Sequence, residues 1–323
     1  MKKSIIVILI SCVITALFAC GKNSAGDSAP PGGGDKQPSA AQGGGDGRQP
    51  SGPVSAKDTV IMAITQENAT LDPLHLNGCE SLQAMRLVYE PLWEYDESYE
   101  NIKWVLAKSI DRADPLKWVV TLRDDAYFEN GNKFTAGDVL FSLNLANSRA
   151  GEPPCIPAMD SEKSKAIDEN TVEICFTEPQ PDLMRSFAAV FMYDGESYDP
   201  ATVAEEPVGT GPYAVIDYDS GSYIKLTRRE NCRGQPPPIK NVVFLLLADD
   251  SMKAEALRSG EADIARIPVG DVETIQKSTY LEVVDGAGET GADTQTALVA
   301  NSNLVINRIS GGWIDWVTLF WAA

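Results

Sequence analysis

Histidine is almost absent from this sequence, and the spacings that build several common active sites are missing. His75 is the only histidine, no two cysteines stand as C-x-x-C, and no G-x-S-x-G motif occurs. A zinc site of cysteine and histidine is therefore not expected, because such a site takes most of its ligands from these two residue types. Nucleophilic catalysis is not expected either, and His75, beside Pro73 in a predicted loop, is interpreted as a surface or cleft histidine without a catalytic role.

Positive charge is also scarce. The chain of 323 residues has 27 lysines and arginines against 46 aspartates and glutamates, which gives a formal net charge of −19. This excess of carboxylates repels the phosphates of nucleic acids and the headgroups of anionic lipids. We therefore expect no nucleic-acid partner, and the charge favours a ligand that is not an anion.

Residues 1–19 are predicted to be a signal peptide, because two lysines precede a short apolar run from Ser4 to Phe18. That run is too short for an ordinary membrane-spanning helix. It ends in "LFAC", which resembles the lipobox of bacterial lipoproteins, so Cys20 is expected to carry lipid and to anchor the chain outside the cytoplasm. The alternative is an ordinary signal peptide that happens to contain a cysteine.

Residues 20–56 are predicted to be the lipidated cysteine followed by a disordered linker. Gly21 to Ala56 holds ten glycines and five prolines and has almost no apolar content. Such a segment cannot bury a core, and a coil of its length spans roughly 30 Å. We interpret it as a tether between the lipid and a folded body.

Export implies an oxidising compartment, in which cysteines form disulfides. Beyond the N-terminal segment four cysteines remain: Cys79, Cys155, Cys175 and Cys232. Four cysteines allow three pairings, and the sequence does not choose among them. Cys155 and Cys175 are the closest along the chain and form the first candidate pair.

Ordered structure is expected from about Lys57, with strands and helices mixed irregularly as in an α/β or α+β domain. "DTVIMAIT" and "NVVFLLLADD" read as buried strands, "KWVVTL" as a half-exposed strand, and "YAVIDYDSGSYIKLTRR" as a hairpin. Leu82, Met85, Val88 and Tyr89 lie on one face of a predicted helix that Pro91 should end.

Two further helices carry end signals. Thr135 and Asp138 are spaced nearly as a capping box at the start of one, after an Asn130-Gly131 turn. "MKAEALRSGEADIARI" is predicted to form the other, with Gly260 at its C-terminal end. The acidic pairs Asp124-Asp125 and Asp249-Asp250 are interpreted as solvated turn residues.

Two glycine-rich stretches raise the question of a phosphate or dinucleotide site. In "PVGTGPYAV" the residue after Gly211 is Pro212, which has no N–H to donate, and no lysine follows until Lys225. A phosphate loop needs both, so we predict a tight turn in which the glycines supply unusual backbone angles. The stretch from Gly286 to Gly291 matches a dinucleotide fingerprint, but no amphipathic helix follows it. We therefore expect neither a cofactor nor enzyme activity.

Several blocks together resemble family 5 of the bacterial extracellular solute-binding proteins, which serve ABC importers. They are "TLDPLHLNGCESLQAMRLVYEPLWEYD", "WVVTLRDDAYFENGNKFTAGDVLFSL", "AIDENTVEICFTEPQPDLM", "PVGTGPYAV" and "ALRSGEADIARIP". They stand in the family's order and cover roughly residues 58–270.

The resemblance implies a periplasmic-binding-protein-like fold of type II, in which two lobes close on a ligand by a hinge and the closed form docks on a membrane permease. It implies a monomer that binds a peptide or another small solute. Carried over from the loop after Leu71-Asp72-Pro73, the ligand contacts would be Asn77, Gly78 and Cys79. A loop near Pro154 and Cys155 is a further candidate, and if both loops face the cleft, a Cys79–Cys155 disulfide is a rival pairing.

The same resemblance sets the expected domains. Residues 57–285 would form lobe I, with a family-specific subdomain at about 85–200, and residues 286–323 would be a truncated or aberrant start of lobe II, so that the second lobe is incomplete. The expected function is a lipid-anchored solute-binding component of an ABC importer. The alternatives are a surface lipoprotein that acts as a receptor or adhesin, and a truncated product without function.

Overall fold

The computed structural model describes residues 58–65, 70–76, 79–96, 100–149, 154–180, 183–275, 277–278, 280–285 and 296–301. The chain divides into two units, Met1–Gly52 and Pro53–Ala323, and every described residue belongs to the second. The predicted signal peptide, Cys20 and the linker lie outside the described residues. In the described part, no helix has the length and apolar character needed to cross a membrane.

The strands and helices alternate irregularly along the chain. The strands are β1 (Thr59–Thr65), β2 (Trp93–Tyr95), β3 (Ile102–Trp104), β4 (Ala107–Asp114), β5 (Lys117–Leu122), β6 (Met159–Asp168), β7 (Thr171–Phe176), β8 (Tyr213–Asp219), β9 (Tyr223–Arg228), β10 (Asn241–Leu247), β11 (Ile264–Pro268), β12 (Leu281–Asp285) and β13 (Thr296–Asn301). The helices are α1 (Cys79–Met85), α2 (Ala136–Asn147), α3 (Met184–Ala188), α4 (Asp250–Ser259) and α5 (Val269–Ile275).

A mixed sheet of seven strands organises most of the molecule, in the order β12-β13-β11-β1-β10-β9-β8. Its centre is parallel, because β1 pairs in parallel with both β10 and β11. The outer strands β9, β8, β13 and β12 are added in antiparallel fashion. The carboxyl ends of β1, β10 and β11 therefore meet at one edge of the sheet.

Both faces of this sheet are covered by apolar side chains. On one face Met62 and Phe244 join Met85 of α1 and the ring of Tyr89 in a cluster that we call the first core. On the opposite face Ala63 joins Leu257 of α4 and other alanines and aliphatic residues in what we call the third core. Cover on both faces explains why β1 and β10 are apolar almost throughout, as predicted.

A second sheet of four antiparallel strands, in the order β4-β5-β7-β6, has cover on one face only. Trp118, Val120 and Leu122 of β5 point inward with Ile174 of β7 and pack on α2 and α3 in the second core. Trp118 meets the rings of Phe176 and Phe187 at 5.1 and 5.3 Å between centroids. The alternation that the sequence predicts for β5 is confirmed.

Most local predictions about element ends hold. Asp138 Oδ2 accepts hydrogen bonds from the N–H of Thr135 at 2.8 Å and from its hydroxyl at 2.9 Å, so the capping interaction at α2 is present. Gly260 ends α4 with a left-handed φ of 76°. The β8–β9 hairpin forms, and Gly221 at its turn has φ 92°.

The helix predicted over Leu82 to Tyr89 is wrong in its extent, because α1 ends at Met85. Val88 and Tyr89 are buried, but they lie in and directly after the turn that follows the helix, and their N–H groups donate to the Met85 carbonyl at 3.0 and 2.8 Å. The carbonyls of Leu87 and Val88 accept long-range hydrogen bonds. The N–H of Gly211 donates to the Val88 carbonyl at 2.8 Å, and the N–H of Tyr213 donates to the Leu87 carbonyl at 3.0 Å. These carbonyls serve the turn before β8, and the chain therefore leaves the helix before Pro91.

The predicted Cys155–Cys175 disulfide is also wrong, because Cys155, Cys175 and Cys232 are free thiols. Cys155 packs against the second core. Cys175 lies between the buried Ile174 and Phe176 of β7, so it points to the other face of the four-stranded sheet. The sheet thus separates the two sulfurs, and the rival Cys79–Cys155 pairing fails as well because Cys155 is free.

Candidate ligand site

The residues predicted to contact a ligand fall in the connection between β1 and α1. Asn77 and Gly78 lie outside the described residues, and Cys79 is the first residue of α1. The structure therefore shows what flanks this stretch on each side. Both flanks are held by carboxylates.

Asp72 holds the first flank. Its carboxylate is buried and accepts the Tyr193 hydroxyl at 2.6 Å and the N–H of Leu74 at 3.0 Å. Nearby, the N–H of Leu71 donates to the carbonyl of Ala204 at 2.8 Å. Burial and the adjacent Asp72 carboxylate raise the pKa of Tyr193 well above its ordinary value, so the phenol stays protonated and keeps donating.

His75 lies on the outside of the same turn. Its Nδ1 is 2.8 Å from Asp72 Oδ2, and its side chain is 66% exposed while that of Asp72 is 3% exposed. The carboxylate that contacts the ring also holds two other donors, so its main role is to shape the turn. This placement agrees with the interpretation of His75 as a surface or cleft histidine.

Glu80 holds the second flank, in the first turn of α1. Its carboxylate accepts the N–H of Thr65, the last residue of β1, at 2.5 Å. The ammonium of Lys253 on α4 lies 3.0 Å from the same carboxylate. The two ends of the β1–α1 connection are thus tied to each other through one side chain.

The pair Asp249-Asp250 is more than a solvated turn. Asp249 is the N-cap of α4 and its Oδ1 accepts the N–H of Met252 at 3.0 Å. Asp250 Oδ1 lies 2.8 Å from the ammonium of Lys253. The sequence analysis interpreted the pair as solvated turn residues. It did not predict that Asp249 caps α4 or that Asp250 pairs with Lys253.

The glycines of "PVGTGPYAV" serve close approach rather than unusual angles. Neither Gly209 nor Gly211 has a positive φ, which corrects the sequence-based expectation. A Cβ at Gly209 would stand 1.9 Å from the Val88 carbonyl oxygen, and one at Gly211 would stand 2.4 Å from that of Leu87. The motif is a turn that lies directly against the backbone after α1, as its lack of phosphate-binding groups predicted.

Sequence reasoning missed the buried cation beneath this turn. The Arg229 guanidinium donates to the carbonyls of Gly209 and Gly211 at 3.3 and 2.9 Å, and to those of Tyr127 and Phe128 at 3.0 Å each. Arg229 follows β9 of the larger sheet, whereas Phe128 packs in the second core. One side chain therefore ties the two sheets together, and no local pattern marks it.

An ion pair lies near this junction. Arg233 donates to the buried Glu90 at 2.8 Å. Burial raises the pKa of Glu90 above its ordinary value, although Arg233 opposes that shift. The side chains of Arg233 and Glu90 are 14% and 6% exposed, so we interpret this ion pair as part of the packing. Within the described residues, no three histidine, cysteine or acidic side chains come together as a metal site would require.

The comparisons with known proteins match this architecture. Residues 101–305 match the sequence profile of the bacterial extracellular solute-binding proteins, family 5 middle region, which covers more than half of the chain. The chain belongs to this family. The resemblance stated from the sequence is thereby confirmed.

Relatives match over much of the chain but over less than half of their own length. A Brucella ovis protein assigned as an ABC transporter peptide-binding protein is 30% identical over 209 residues, which are 61% of this chain and 40% of that protein. The nickel-binding periplasmic protein of Escherichia coli K12 is 25% identical over 218 residues, 65% of this chain and 41% of that one.

A solved structure supports the fold. DppA from Helicobacter pylori, in complex with the peptide STSA, superposes with a TM-score of 0.63 at 22% identity, over 71% of this chain and 51% of that one. The prediction of a mixed α/β, type II periplasmic-binding-protein-like fold is confirmed. The family is one of extracellular transport binding proteins, which supports an extracytoplasmic location and a binding rather than a catalytic role.

Proposed function

We propose that this chain is the substrate-binding component of an ABC importer and that its solute is a peptide. The family match over residues 101–305 carries the proposal. The peptide class is supported by the relative assigned to peptide binding and by the peptide-bound structure of similar fold. The nickel-binding relative makes a metal chelate the competing solute.

We further propose that the chain is exported and held at the membrane by lipid on Cys20. The apolar run before "LFAC" and the glycine- and proline-rich stretch after it support an anchor followed by a tether. In this arrangement the binding domain works as a monomer and delivers its solute to a membrane permease. Replacing Cys20 with Ser should release the protein from the membrane fraction, and retention of the variant would contradict the anchor.

The ligand contacts that we propose are Asn77, Gly78 and Cys79. Their support is the position of the stretch: it follows the β1 carboxyl end, where ligands commonly bind in open α/β sheets, and it is flanked by the fixed groups Asp72 and Glu80. An extended peptide would lie along the connection beyond this end of the sheet and bond to it through its main chain, with side chains reaching separate pockets.

Thermal unfolding with a peptide library tests the proposal. A ligand that binds only the folded state raises the melting temperature, and at one hundred times its dissociation constant it adds about 2.7 kcal/mol of stability. We expect a rise with a subset of short peptides and a smaller rise with nickel–histidine chelates. A rise with chelates alone would replace the peptide by a metal chelate.

Variants in the proposed contacts sharpen this test. Asn77→Ala and Cys79→Ser should reduce the ligand-induced rise while leaving the melting temperature of the free protein nearly unchanged. Asn231→Ala, at an exposed position, and Cys175→Ser, on the outer face of the four-stranded sheet, are the matched controls and should keep the full rise. Equal responses in all four variants would place the ligand elsewhere.

A further inference from the structure

Lys253 is a buried cation whose partners are well defined. Its side chain is 2% exposed, and its ammonium lies 3.0 and 3.3 Å from the two oxygens of Glu80 and 2.8 Å from Asp250 Oδ1. The side chain of Asp250 is 45% exposed, whereas that of Glu80 is 14% exposed. Water can replace Asp250 at the ammonium more easily than it can replace Glu80.

The contact joins elements on opposite faces of the seven-stranded sheet. Ala254 and Leu257 of α4 pack in the third core, whereas Ala84 and Met85 of α1 pack in the first core. Lys253 and Glu80 meet beyond the carboxyl end of β1, where the Thr65 N–H donates to the same carboxylate. The pair therefore fixes α1 against β1 at the edge where the proposed ligand contacts begin.

We propose that Lys253 is a positioning residue for solute binding. It holds the Glu80 carboxylate in one place, and Glu80 in turn holds the end of β1 and the first turn of α1. The effect on solute binding rests on the proposed function, whereas the contact between Lys253 and Glu80 is observed.

The physical reason is the cost of leaving either charge alone. If Glu80 swung away to solvent, the buried ammonium would keep only the half-exposed Asp250 as its partner, so Lys253 makes that movement of Glu80 costly. Glu80 is thereby kept in place for the N–H of Thr65. Ordering backbone residues costs conformational entropy, and a site in which that cost is already met binds its ligand more tightly.

The first test needs no ligand. We expect Lys253→Met to speed amide hydrogen exchange at Thr65 by about tenfold relative to Ile61 of the same strand, which corresponds to about 1.4 kcal/mol. The N–H of Ile61 donates to Asp263 at 2.9 Å, away from the pair. Lys240→Met, at an exposed lysine, is the matched control and should change neither amide. If Thr65 and Ile61 change equally in Lys253→Met, the lysine only supports global stability and the proposal is wrong.

The second test separates positioning from stability. The double variant Glu80→Gln/Lys253→Met removes both charges but keeps a side-chain oxygen for the Thr65 N–H, so its melting temperature should lie closer to that of the unmodified protein than the melting temperature of Lys253→Met does. Its affinity for the peptide that gives the largest thermal shift should still be about tenfold weaker, the same 1.4 kcal/mol. Unchanged affinity in the double variant would overturn the positioning role. If no peptide binds the unmodified protein, the proposed function fails, and the exchange test still decides whether Lys253 holds Thr65.

Discussion

The two sheets of this protein expose their residues in different ways. In the seven-stranded sheet, neighbouring residues of β1 such as Met62 and Ala63 pack into cores on opposite faces. In the four-stranded sheet, Ile174 of β7 is buried while Glu173 and Cys175 look outward. The outward Glu173 lies 3.4 Å from both Lys117 and Lys165, which is a surface arrangement.

This difference determines which positions of a strand tolerate substitution without loss of stability. A strand covered on both faces tolerates few changes at any position, whereas a strand with one open face tolerates them at every second position. The junction between the sheets is a third case, because backbone groups from both are satisfied there by Arg229. Substitutions should therefore be costly at the junction and at covered positions of either sheet, and nearly neutral on the open face.

The largest effect is expected at the junction, from Arg229→Met. The substitution removes the donors from several buried carbonyl groups, each of which costs about 1–3 kcal/mol when left unsatisfied. We expect the free energy of unfolding to fall by about 3–5 kcal/mol in urea denaturation. The neighbouring Arg228→Met should cost less than about 1 kcal/mol, because the Arg228 side chain is 27% exposed and its ion-pair partner Glu230 is 74% exposed. Equal losses in the two variants would contradict the role of Arg229.

A somewhat smaller effect is expected from Gly209→Ala. The new Cβ would stand 1.9 Å from the carbonyl oxygen of Val88, so the turn must move away from the segment after α1. We expect a loss of about 3 kcal/mol, near the upper end for an overpacked site. Gly270→Ala in α5 is the matched control, because no atom lies within 4 Å of its added Cβ. It should be neutral or stabilise by up to about 1 kcal/mol.

Local patterns predicted much of the fold. The alternation in β5, the hairpin of β8 and β9, the capping at Thr135 and the end of α4 at Gly260 each depend on residues close in sequence. The helix over Leu82 to Tyr89 failed for the opposite reason, since the carbonyls of Leu87 and Val88 bond to residues more than one hundred positions later.

The candidate site is less accessible to prediction. The stretch around Asn77 could be found only through family resemblance, and its supports are distant in sequence. Tyr193 is 121 residues from Asp72, and Lys253 is 173 residues from Glu80. Pairings of this kind depend on how the sheet brings the chain together, and a single sequence carries no periodic signal for them.

A pH-dependent effect is expected from Asp194, which lies in the connection between α3 and β8. Its buried carboxylate accepts Asn130 Nδ2 at 2.6 Å, Asn132 Nδ2 at 2.8 Å and Ser197 Oγ at 2.6 Å. Burial raises its pKa, but these donors outweigh burial, and the pKa is lowered overall.

A carboxylate with a lowered pKa stabilises the fold above the ordinary pKa of Asp, near 3.9, and this stability is lost as the pH falls through the folded value. Asp194→Asn should therefore cost about 2 kcal/mol at pH 7, the value of a hydrogen bond to a charged group. The difference between the two proteins should shrink below about pH 4 in urea denaturation. A difference that is constant between pH 7 and pH 3 would show that the charge is not involved.

The smallest effect is expected on the open face, from Cys175→Ser. Its thiol donates a weak hydrogen bond to the carbonyl of Lys163 at 3.6 Å. We expect a change within about 0.5 kcal/mol, the usual range at a surface position. The adjacent Ile174→Ala should cost about 2–5 kcal/mol, because Ile174 is fully buried in the second core. Loss of a disulfide would instead cost about 2–5 kcal/mol at Cys175. A large loss of unfolding free energy at Cys175 would therefore indicate a disulfide, in conflict with the free thiol in the structure. A small loss supports a sheet in which substitutions are costly at inward positions and nearly neutral at outward ones.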